Sequence, residues 1–213
     1  MALAGSGDLQ SPPGVELTAD ARARCLRYIA LLAKWNRTYN LTAIRTQEEM
    51  VTHHLQDSLA VLSFLPPQAG ARMLDIGSGA GLPGLPLAIA RPDVAWTLLD
   101  SNAKKTAFIQ QAISEIGIAN ALVVTARADA FVASTLFDGV IARAFSDLAD
   151  LVAVALPQLA PGGRLLAMKG ALPEAEIAAL PPSVHVVATP ALVVPGLDAQ
   201  RHLVILQKKE AGP

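Results

Sequence analysis

The stretch that decides the fold is Leu74-Asp75-Ile76-Gly77-Ser78-Gly79-Ala80-Gly81-Leu82-Pro83-Gly84. The apolar residues 71–76 predict a short buried strand, and the apolar residues 85–90 predict a helix after the glycines. Strand, glycine-rich turn and helix in this order open a nucleotide-binding βαβ unit. Gly77 and Gly79 allow the backbone to turn tightly and to approach a ligand that a Cβ atom would keep away.

The spacing of the glycines separates two kinds of nucleotide-binding turn. A dinucleotide-binding Gly-x-Gly-x-x-Gly turn beginning at Gly77 would need a glycine at position 82, where this chain has Leu82. The spacing therefore argues against a nicotinamide-dependent oxidoreductase. The pattern present is acidic-x-Gly-x-Gly-x-Gly, from Asp75 to Gly81, and it resembles the first motif of class I S-adenosylmethionine (SAM) methyltransferases.

A second acidic residue follows the next predicted strand. Residues 94–100 form an apolar segment that ends at Asp100, nineteen residues after Gly81. An acid at the end of the second strand can accept hydrogen bonds from both ribose hydroxyls of an adenosyl ligand. Asp100 could also cap the helix that is predicted to begin near Asn102, and the two roles are compatible.

The composition fits one α/β core and excludes several classes of protein. Of the 213 residues 52% are hydrophobic, yet no apolar run approaches the roughly 18 residues that span a bilayer. Cys25 is the only cysteine, which excludes an internal disulfide and a multi-thiolate metal site. We expect a cytoplasmic protein with no metal site and no membrane partner. Because the net charge is −1, nucleic-acid binding would need a fold that gathers basic residues into a patch.

The chain is predicted to hold three regions, at residues 1–17, 18–66 and 67–213. The first lacks the basic start and apolar segment of a signal peptide, and we expect a disordered lead. Thr18 is a predicted N-cap for a helix that runs to about Tyr39, and Thr46 begins a capping box for a second helix. Pro66-Pro67 ends that helix, so the second region is a small helical subdomain.

The third region alternates predicted strands and helices from residue 71 onward. This order indicates a Rossmann-like α/β fold with a doubly wound, mostly parallel sheet of seven strands. No helix is predicted between the last two strands, at 184–187 and 202–206, so we expect these to pair antiparallel. Such an ending suits a class I methyltransferase better than a plain dinucleotide-binding domain.

Seven short motifs, in order along the chain, resemble those of one protein family. They are Lys34-Trp35-Asn36, Tyr39-Asn40-Leu41-Thr42, His54-Leu55-Gln56-Asp57-Ser58, Gly81-Leu82-Pro83-Gly84, Arg143-Ala144-Phe145, Met168-Lys169-Gly170 and Arg201-His202-Leu203. Over about residues 18–208 the chain is similar to the RsmG (GidB) family, bacterial methyltransferases of small-subunit ribosomal RNA. Seven ordered motifs in both regions are a more specific signal than the glycine turn alone.

The resemblance implies a reaction, a cofactor and a set of contacts. The family transfers a methyl group from SAM to N7 of a guanine in the 530 loop of 16S ribosomal RNA. Carried over by position, the SAM contacts fall on Gly77, Leu82, Ala128, Asp129 and Arg143. This chain departs from the pattern at Asp129, a single short acid where relatives often carry one or two glutamates.

The residues after the fourth predicted strand agree with methylation at N7. An exocyclic-amine methyltransferase of this fold usually carries a proline-rich motif ending in an aromatic residue here, whereas this chain has Arg143-Ala144-Phe145-Ser146. A pyrimidine C5 methyltransferase needs a cysteine nucleophile, and Cys25 lies on the predicted core face of the first helix. Guanine N7 has an available lone pair, so its methylation needs alignment of the reactants and no general base.

Arg143 ends the fourth predicted strand at the ligand-binding edge of the sheet. We expect it to hold the carboxylate of SAM or a nearby phosphate. The alternative is a surface ion pair with Asp147 or Asp150. An arginine donating to guanine N7 would occupy the lone pair that must attack, so O6 or a phosphate is the better RNA partner for it.

Three basic residues are candidates for an RNA-facing patch: Arg127, Lys169 and Arg201. Lys169 ends the fifth predicted strand and, with Arg143, is a candidate for positioning the reactants; the alternative is a solvated lysine. Lys104 and Lys105 are interpreted as the exposed face of their helix.

Two pairs in the helical subdomain allow a structural or an RNA-binding interpretation. His54 and Asp57 lie three residues apart, and we expect them to form a hydrogen bond that seats the subdomain, with an RNA contact as the alternative. Trp35 and Tyr39 lie four residues apart, and we expect packing between the two regions, with stacking on a flipped base as the alternative.

Together these observations predict a SAM-dependent N7-guanine methyltransferase of 16S ribosomal RNA. Because the net charge is small, we expect a substrate presented within a small-subunit particle, and we expect the enzyme to be a monomer. Two alternatives stay open. One is a small-molecule SAM methyltransferase, and the other is a non-catalytic ribosome-assembly factor with a relic SAM pocket.

Overall fold

A computed structural model describes residues 9–209 as a seven-stranded sheet with helices on both faces. The strands are β1 (Arg72–Ile76), β2 (Ala95–Asp100), β3 (Ala121–Thr125), β4 (Phe137–Arg143), β5 (Leu159–Lys169), β6 (Val184–Ala188) and β7 (His202–Lys208). Their order across the sheet is β3-β2-β1-β4-β5-β7-β6. Strands β1 to β5 pair parallel, whereas β7 pairs antiparallel with both β5 and β6. The predicted fold class is confirmed.

Helices follow β1, β2, β4 and β5 as the sequence predicts. The second predicted helix, which precedes β1, differs from its prediction. The α-helices are α1 (Ala19–Tyr39), α2 (Gln47–Met50), α3 (Asp57–Leu59), α4 (Gly84–Ala90), α5 (Ala103–Ile116), α6 (Leu148–Ala155) and α7 (Glu174–Ala178). A π-helical turn at Val51–Gln56 joins α2 to α3, so the predicted second helix is α-helical at both ends and π-helical between them. π-Helical turns are rare and occur frequently at functional sites.

Both predicted N-caps of the helical subdomain are present. The Thr18 hydroxyl accepts a hydrogen bond from the Ala21 N–H at 3.1 Å and starts α1. The Thr46 hydroxyl accepts from the Glu49 N–H at 3.2 Å and donates to the Glu49 carboxylate at 3.0 Å, which starts α2. These bonds satisfy N–H groups that have no partner within the first turn of a helix.

The sheet has an apolar core on each face because successive strand residues point to opposite sides. Met73 of β1 faces a cluster that includes α1, the π-helical turn, α4 and α5, whereas its neighbour Leu74 faces a second cluster around α6. The helical subdomain therefore shares one continuous core with the sheet. None of the described helices is long and apolar enough to cross a membrane.

The predicted disordered lead at 1–17 is wrong for residues 9–17. Leu9 and Leu17 are buried in the first core cluster, and the Arg22 guanidinium donates to the Leu9 carbonyl. Residues 9–17 thus pack against α1, since two leucines among polar neighbours are enough to anchor a short segment. Residues 1–8 lie outside the described part of the chain.

The strand order reverses between β1 and β4, and this reversal places the candidate site. In an open α/β sheet, ligands bind outside the carboxyl ends of the strands at such a switch point. The glycine turn after β1, Asp100 at the end of β2 and Arg143 at the end of β4 all lie at this carboxyl edge. Lys169 ends β5 at the same edge, one strand beyond Arg143.

Candidate cofactor and substrate site

The glycine turn is fixed by backbone hydrogen bonds to the neighbouring strand. The N–H groups of Gly77 and Ser78 both donate to the Leu99 carbonyl, at 2.8 and 3.0 Å. Gly77 and Gly79 have φ angles of +71° and +58°, a region that favours glycine. A Cβ atom at Gly77 would meet nothing within 4 Å, and one at Gly79 would meet only the Gly77 carbonyl oxygen, at 4.0 Å. The turn therefore borders open space at the switch point.

The Asp100 carboxylate links this turn to the next helix. Its Oδ2 accepts from the Gly79 N–H at 2.8 Å, and its Oδ1 accepts from the Asn102 N–H at 2.8 Å. Asn102 is the N-cap of α5, since its own Oδ1 accepts from the Lys104 N–H at 3.0 Å. Asp100 is therefore not the cap itself but the anchor that holds the turn beside the start of α5.

Asp75 is fully buried beneath the glycine turn. Its Oδ2 accepts from the Gly84 N–H at 2.8 Å, whereas its Oδ1 has no hydrogen-bond partner among the described residues. Burial raises the pKa of this carboxyl to about 7, although the Gly84 N–H and the Arg143 charge act to lower it. A buried oxygen without a partner is unusual, and this one can still accept a hydrogen bond.

The helical subdomain contacts the glycine turn through Tyr28. This side chain is fully buried on α1, and its hydroxyl donates to the Ala80 carbonyl within the turn at 2.7 Å. A buried hydroxyl needs such a partner, and the carbonyl of a tight turn needs a donor. The bond therefore fixes the position of α1 relative to the turn.

A second link joins the helical subdomain to the end of β4 and the start of β7. The Asp57 carboxylate, 4% exposed, accepts from Arg143 Nη1 at 3.0 Å and from Arg201 Nε at 2.7 Å. Arg143 also donates to the His53 carbonyl at 3.2 Å. The alternative prediction, a surface ion pair between Arg143 and Asp147 or Asp150, is therefore wrong. Two guanidinium groups share one carboxylate, which leaves this cluster with a net positive charge.

The expected hydrogen bond between His54 and Asp57 is also wrong. The His54 Nε2 atom is hydrogen-bonded to the Thr42 hydroxyl at 2.7 Å, while both oxygens of Asp57 are taken by the arginines. Burial, followed by the Arg143 charge, lowers the pKa of His54 to about 4, so this imidazole is neutral at pH 7. His54 connects the loop after α1 to the π-helical turn.

A cavity of about 480 Å³ lies at the carboxyl edge, among residues that follow β2, β3 and β4. It is lined by Ser101, Arg127, Ala128, Asp129, Phe145, Ser146, Asp150, Ala153 and Val154. Ala128 and Asp129, which the family resemblance marks as SAM contacts, are thus brought together at one cavity. Asp129 accepts from Arg127 Nη2 at 2.7 Å and from Arg127 Nε at 3.0 Å, and both side chains are exposed. This hydrogen bond lowers the pKa of Asp129, so the cavity presents a carboxylate.

Lys169 forms an ion pair, and its side chain is only 11% exposed. Its Nζ donates to Glu176 Oε2 at 2.8 Å and to the Phe145 carbonyl at 3.2 Å, and the same Glu176 oxygen accepts from the Leu148 N–H at 2.8 Å. The residue therefore ties β5, α6 and α7 together. Each of the three candidates for the RNA-facing patch pairs with a different acid: Arg127 with Asp129, Lys169 with Glu176 and Arg201 with Asp57.

The site also contains residues that the sequence did not single out. Tyr28 lacked any signal beyond its place on the core face of α1, and Ser101 and Ser146 are short polar residues in loops. Phe145 lines the cavity and lay in one of the quoted motifs, so that motif was the available signal. Asp75 was part of the glycine motif, but its unpartnered oxygen follows only from the packed structure.

Solved structures share this architecture. TrmN from Thermus thermophilus is similar with a TM-score of 0.57 and 20% identity, over 75% of this chain and 53% of that one. A SAM-dependent methyltransferase from Thiobacillus denitrificans in complex with S-adenosyl-L-homocysteine has a TM-score of 0.57 and 15% identity, over 72% and 91% of the two chains. The chain therefore has the fold of the class I SAM-dependent methyltransferases.

Comparison of sequences narrows the class to one family. A family model described as GidB, rRNA small subunit methyltransferase G, matches residues 22–204. The ribosomal RNA small subunit methyltransferase G of Nitrosococcus oceani is 52% identical over 199 residues, 93% of this chain and 92% of that protein. The protein of the same name from Neisseria meningitidis is 50% identical over 92% of this chain and 93% of that protein. The chain belongs to this family, as its seven motifs predict.

The shared carboxylate of Asp57 should contribute measurably to stability. Asp57→Asn leaves two largely buried guanidinium groups without a charged partner, and we expect the unfolding free energy to fall by about 2 kcal/mol. The matched control is Asp129→Asn, which breaks an Asp–Arg pair that is exposed to solvent and should leave stability unchanged within error. Urea unfolding of both variants measures the difference, and equal losses would contradict a special role for the buried cluster.

Asp75 should make stability depend on pH. Folding raises its pKa from the ordinary 3.8 to about 7, so its contribution to stability is fully present below about pH 4 and is lost as pH rises through about 7. Asp75→Asn stays neutral throughout. We therefore expect the variant to gain stability relative to the native protein as pH rises from about 4 to about 7 in urea titrations. A difference that does not change with pH would mean that Asp75 ionises normally in the fold.

Proposed function

We propose that this protein transfers a methyl group from SAM to N7 of a guanine in the 530 loop of 16S ribosomal RNA. The observation that carries the proposal is the glycine turn, with Asp100 beside it and the buried Asp75 beneath it, one of whose oxygens has no hydrogen-bond partner. This turn lies in a chain of the GidB family. Relatives of about 50% identity are named as methyltransferases of small-subunit ribosomal RNA, which supports the same substrate here.

The residues at the carboxyl edge fit the three parts of SAM. The free Oδ1 of Asp75 suits the cationic amino group, because a cation nearby favours the ionised carboxylate. Asp100 holds the turn through Gly79 and is placed for the ribose hydroxyls. Ala128 and Asp129 line the neighbouring cavity, which suits the adenine. Bound SAM supplies an activated methyl group on a sulfonium centre.

Arg143 suits the anionic end of the cofactor or an RNA phosphate. Asp57 holds its guanidinium at 3.0 Å, so the side chain is fixed before any ligand arrives. Fixing the donor in advance lowers the entropy lost on binding. Because Arg201 shares the same carboxylate, the cluster keeps a positive charge to offer an anion. Asp57 is therefore a positioning residue for both arginines.

The proposed reaction needs no general acid or base from the protein. Bound SAM would supply the methyl group, which the N7 lone pair would accept while the electrons of the carbon–sulfur bond would stay on sulfur. No proton would have to leave the base, because the positive charge would pass from sulfur to the guanine ring. His54 is neutral and hydrogen-bonded to Thr42, and Lys169 is bound to Glu176, so neither is free to act as a general base at this edge. Alignment and exclusion of water are what this site would contribute.

Several further features of the proposal concern where the enzyme acts. We propose that it is a monomer that works in the cytoplasm on a small-subunit particle, where folded RNA and proteins add contacts. The single cysteine, Cys25, is buried and unpaired, which suits a reducing compartment. The net charge of −1 supports a substrate that provides shape as well as phosphates.

The proposal is tested by transfer of a labelled methyl group. Labelled SAM is incubated with purified 16S RNA, small subunits and assembled ribosomes, and the modified base is then mapped. We expect label at N7 of one guanine in the 530 loop, with small subunits the best of the three substrates. Label on small molecules alone would favour the small-molecule methyltransferase, and SAM binding without transfer to any RNA would favour the assembly factor.

A single added side-chain carbon in the glycine turn should weaken SAM binding. In Gly79→Ala the new Cβ points into open space at the edge, and we expect the affinity for SAM to fall about tenfold or more because the ligand approaches the backbone there. Gly117→Ala is the matched control, since Gly117 also has a positive φ, of +77°, and open space around it, but lies at the end of α5.

Both alanines carry the backbone cost of a left-handed conformation, about 1 kcal/mol each, so both variants should lose similar stability. Isothermal calorimetry with SAM then separates the cofactor effect from this strain. If Gly117→Ala weakens SAM binding as much as Gly79→Ala does, the turn is not the cofactor site.

A further inference from the structure

Four basic side chains near the carboxyl edge have no acidic partner within residues 9–209. They are Lys34 and Arg37 on α1 and Lys104 and Lys105 on α5. Lys34, Arg37 and Lys104 are exposed, and Lys105 is half-buried. The cations predicted to face RNA are by contrast all paired with acids at 2.7–2.8 Å. A cation without a partner gives up no ion pair when it binds a phosphate.

The packing of α1 on α5 brings these four residues to one end of the helix pair. Arg24 Nη2 donates to the Gly117 carbonyl at 2.7 Å, so the beginning of α1 lies beside the end of α5. Further along α1, the Trp35 ring lies 5.6 Å from the Phe108 ring, measured between centroids. The helices are therefore antiparallel, and the last turn of α1 lies beside the first turn of α5. We call Lys34, Arg37, Lys104 and Lys105 the basic ridge.

The ridge is adjacent to the proposed cofactor site. Helix α5 begins three residues after Asp100, whose carboxylate holds the Gly79 N–H of the glycine turn. Lys104 and Lys105 thus lie in the helical turn that starts at the cofactor edge. A phosphate chain bound along the ridge would pass next to that edge.

Helix stability does not explain the two lysines on α5. Cations in the first turn of a helix are unfavourable because they face the positive end of the helix dipole. The Asn102 side chain already caps this end by accepting from the N–H groups of Lys104 and Lys105, at 3.0 and 3.4 Å. The local positive charge is therefore concentrated where the fold gains nothing from it.

An exposed aromatic ring accompanies the cations. Tyr39, the last residue of α1, is 47% exposed, and its ring centroid lies 5.1 Å from that of Trp35. Trp35 in turn contacts Phe108 of the core. The exposed ring is thus supported from behind by two others. Aromatic rings beside basic residues are typical of surfaces that bind nucleic acid, because bases stack on the ring while cations contact phosphates.

We propose that the basic ridge, with the Tyr39 ring beside it, docks the phosphate backbone of the RNA substrate and so presents the target guanine to the carboxyl edge. The inference rests on the proposed function and adds the face of the protein that the RNA approaches. Charge complementarity argues for RNA as the occupant, since four unpaired cations on one ridge match a chain of regularly spaced phosphates. It also assigns a role to Lys104 and Lys105 beyond that of a solvated helix face.

The test compares two triple variants that remove the same charges from opposite edges of the sheet. The ridge variant is Arg37→Gln, Lys104→Gln, Lys105→Gln. The control variant is Arg164→Gln, Lys208→Gln, Lys209→Gln, and all three residues are exposed. Arg164 lies in β5 beside Gly139 of β4, Lys208 ends β7, and Lys209 follows it. Because β7 runs antiparallel to β5, the control residues lie at the edge remote from Asp100.

Binding of deproteinised 16S RNA and of small subunits is measured over a range of salt concentrations. For the ridge variant we expect affinity for both to fall about tenfold or more near physiological salt, and the slope of log affinity against log salt to fall by about two to three. The control variant should bind within about twofold of the native protein. All three proteins should bind SAM equally, which also verifies that they are folded.

The proposed function and this inference fail in different measurements. If the native protein does not methylate RNA, the proposed function fails, whereas the ridge is judged by RNA binding alone. If the ridge variant binds RNA like the control variant, the inference is overturned while the methyl transfer stands. Loss of binding to small subunits without loss of binding to free RNA would assign the ridge to a protein partner and overturn it. Loss of SAM affinity in the ridge variant would overturn it as well.

Discussion

The hydrogen bond from the Gly79 N–H to the Asp100 carboxylate is the interaction on which the rest of the site depends. It joins the turn after β1 to the end of β2, and the other oxygen of Asp100 accepts from Asn102 at the start of α5. One carboxylate therefore sets both the glycine turn and the direction of the next helix. Asp100 is buried, and two backbone N–H donors offset the cost of removing its charge from water. The other side of the turn stays open, since a Cβ atom at Gly77 would meet nothing within 4 Å.

The helices before the sheet belong to this site as much as the sheet does. Tyr28 is hydrogen-bonded to the glycine turn, and Asp57 forms ion pairs with Arg143 at the end of β4 and with Arg201 just before β7. Both contacts are buried, so each partner would leave an unsatisfied group if it were lost. The π-helical turn at Val51–Gln56 lies immediately before Asp57. A change in how these helices pack would consequently move the arginines. A ligand that shifts the carboxyl edge should therefore shift the helical subdomain as well.

The sequence was sufficient for features that depend on local pattern and not for those that depend on distant partners. Strands, the N-caps at Thr18 and Thr46 and the glycine turn follow from apolar periodicity and residue type within a few positions. Asp57 and Arg201 lie 144 residues apart, and no local pattern links them. The spacing of His54 and Asp57 suggested a hydrogen bond, but the arginines compete for the same carboxylate and a charge-assisted bond is the stronger one. The π-helical turn was missed because its hydrogen-bond register leaves no distinct mark in the pattern.

The distribution of charge reconciles a near-neutral protein with a polyanionic substrate. With a net charge of −1, the molecule as a whole exerts little long-range attraction on RNA, and salt screens what remains beyond about 8 Å. Several cations at the carboxyl edge are held in ion pairs that build the site, as Lys169 and Arg201 are. At this edge the basic ridge offers positive charge that is free to meet phosphate, and a ridge so short can orient a strand without binding RNA indiscriminately. Recognition by such a surface depends on a folded target that brings its phosphates and its guanine to the edge in one arrangement.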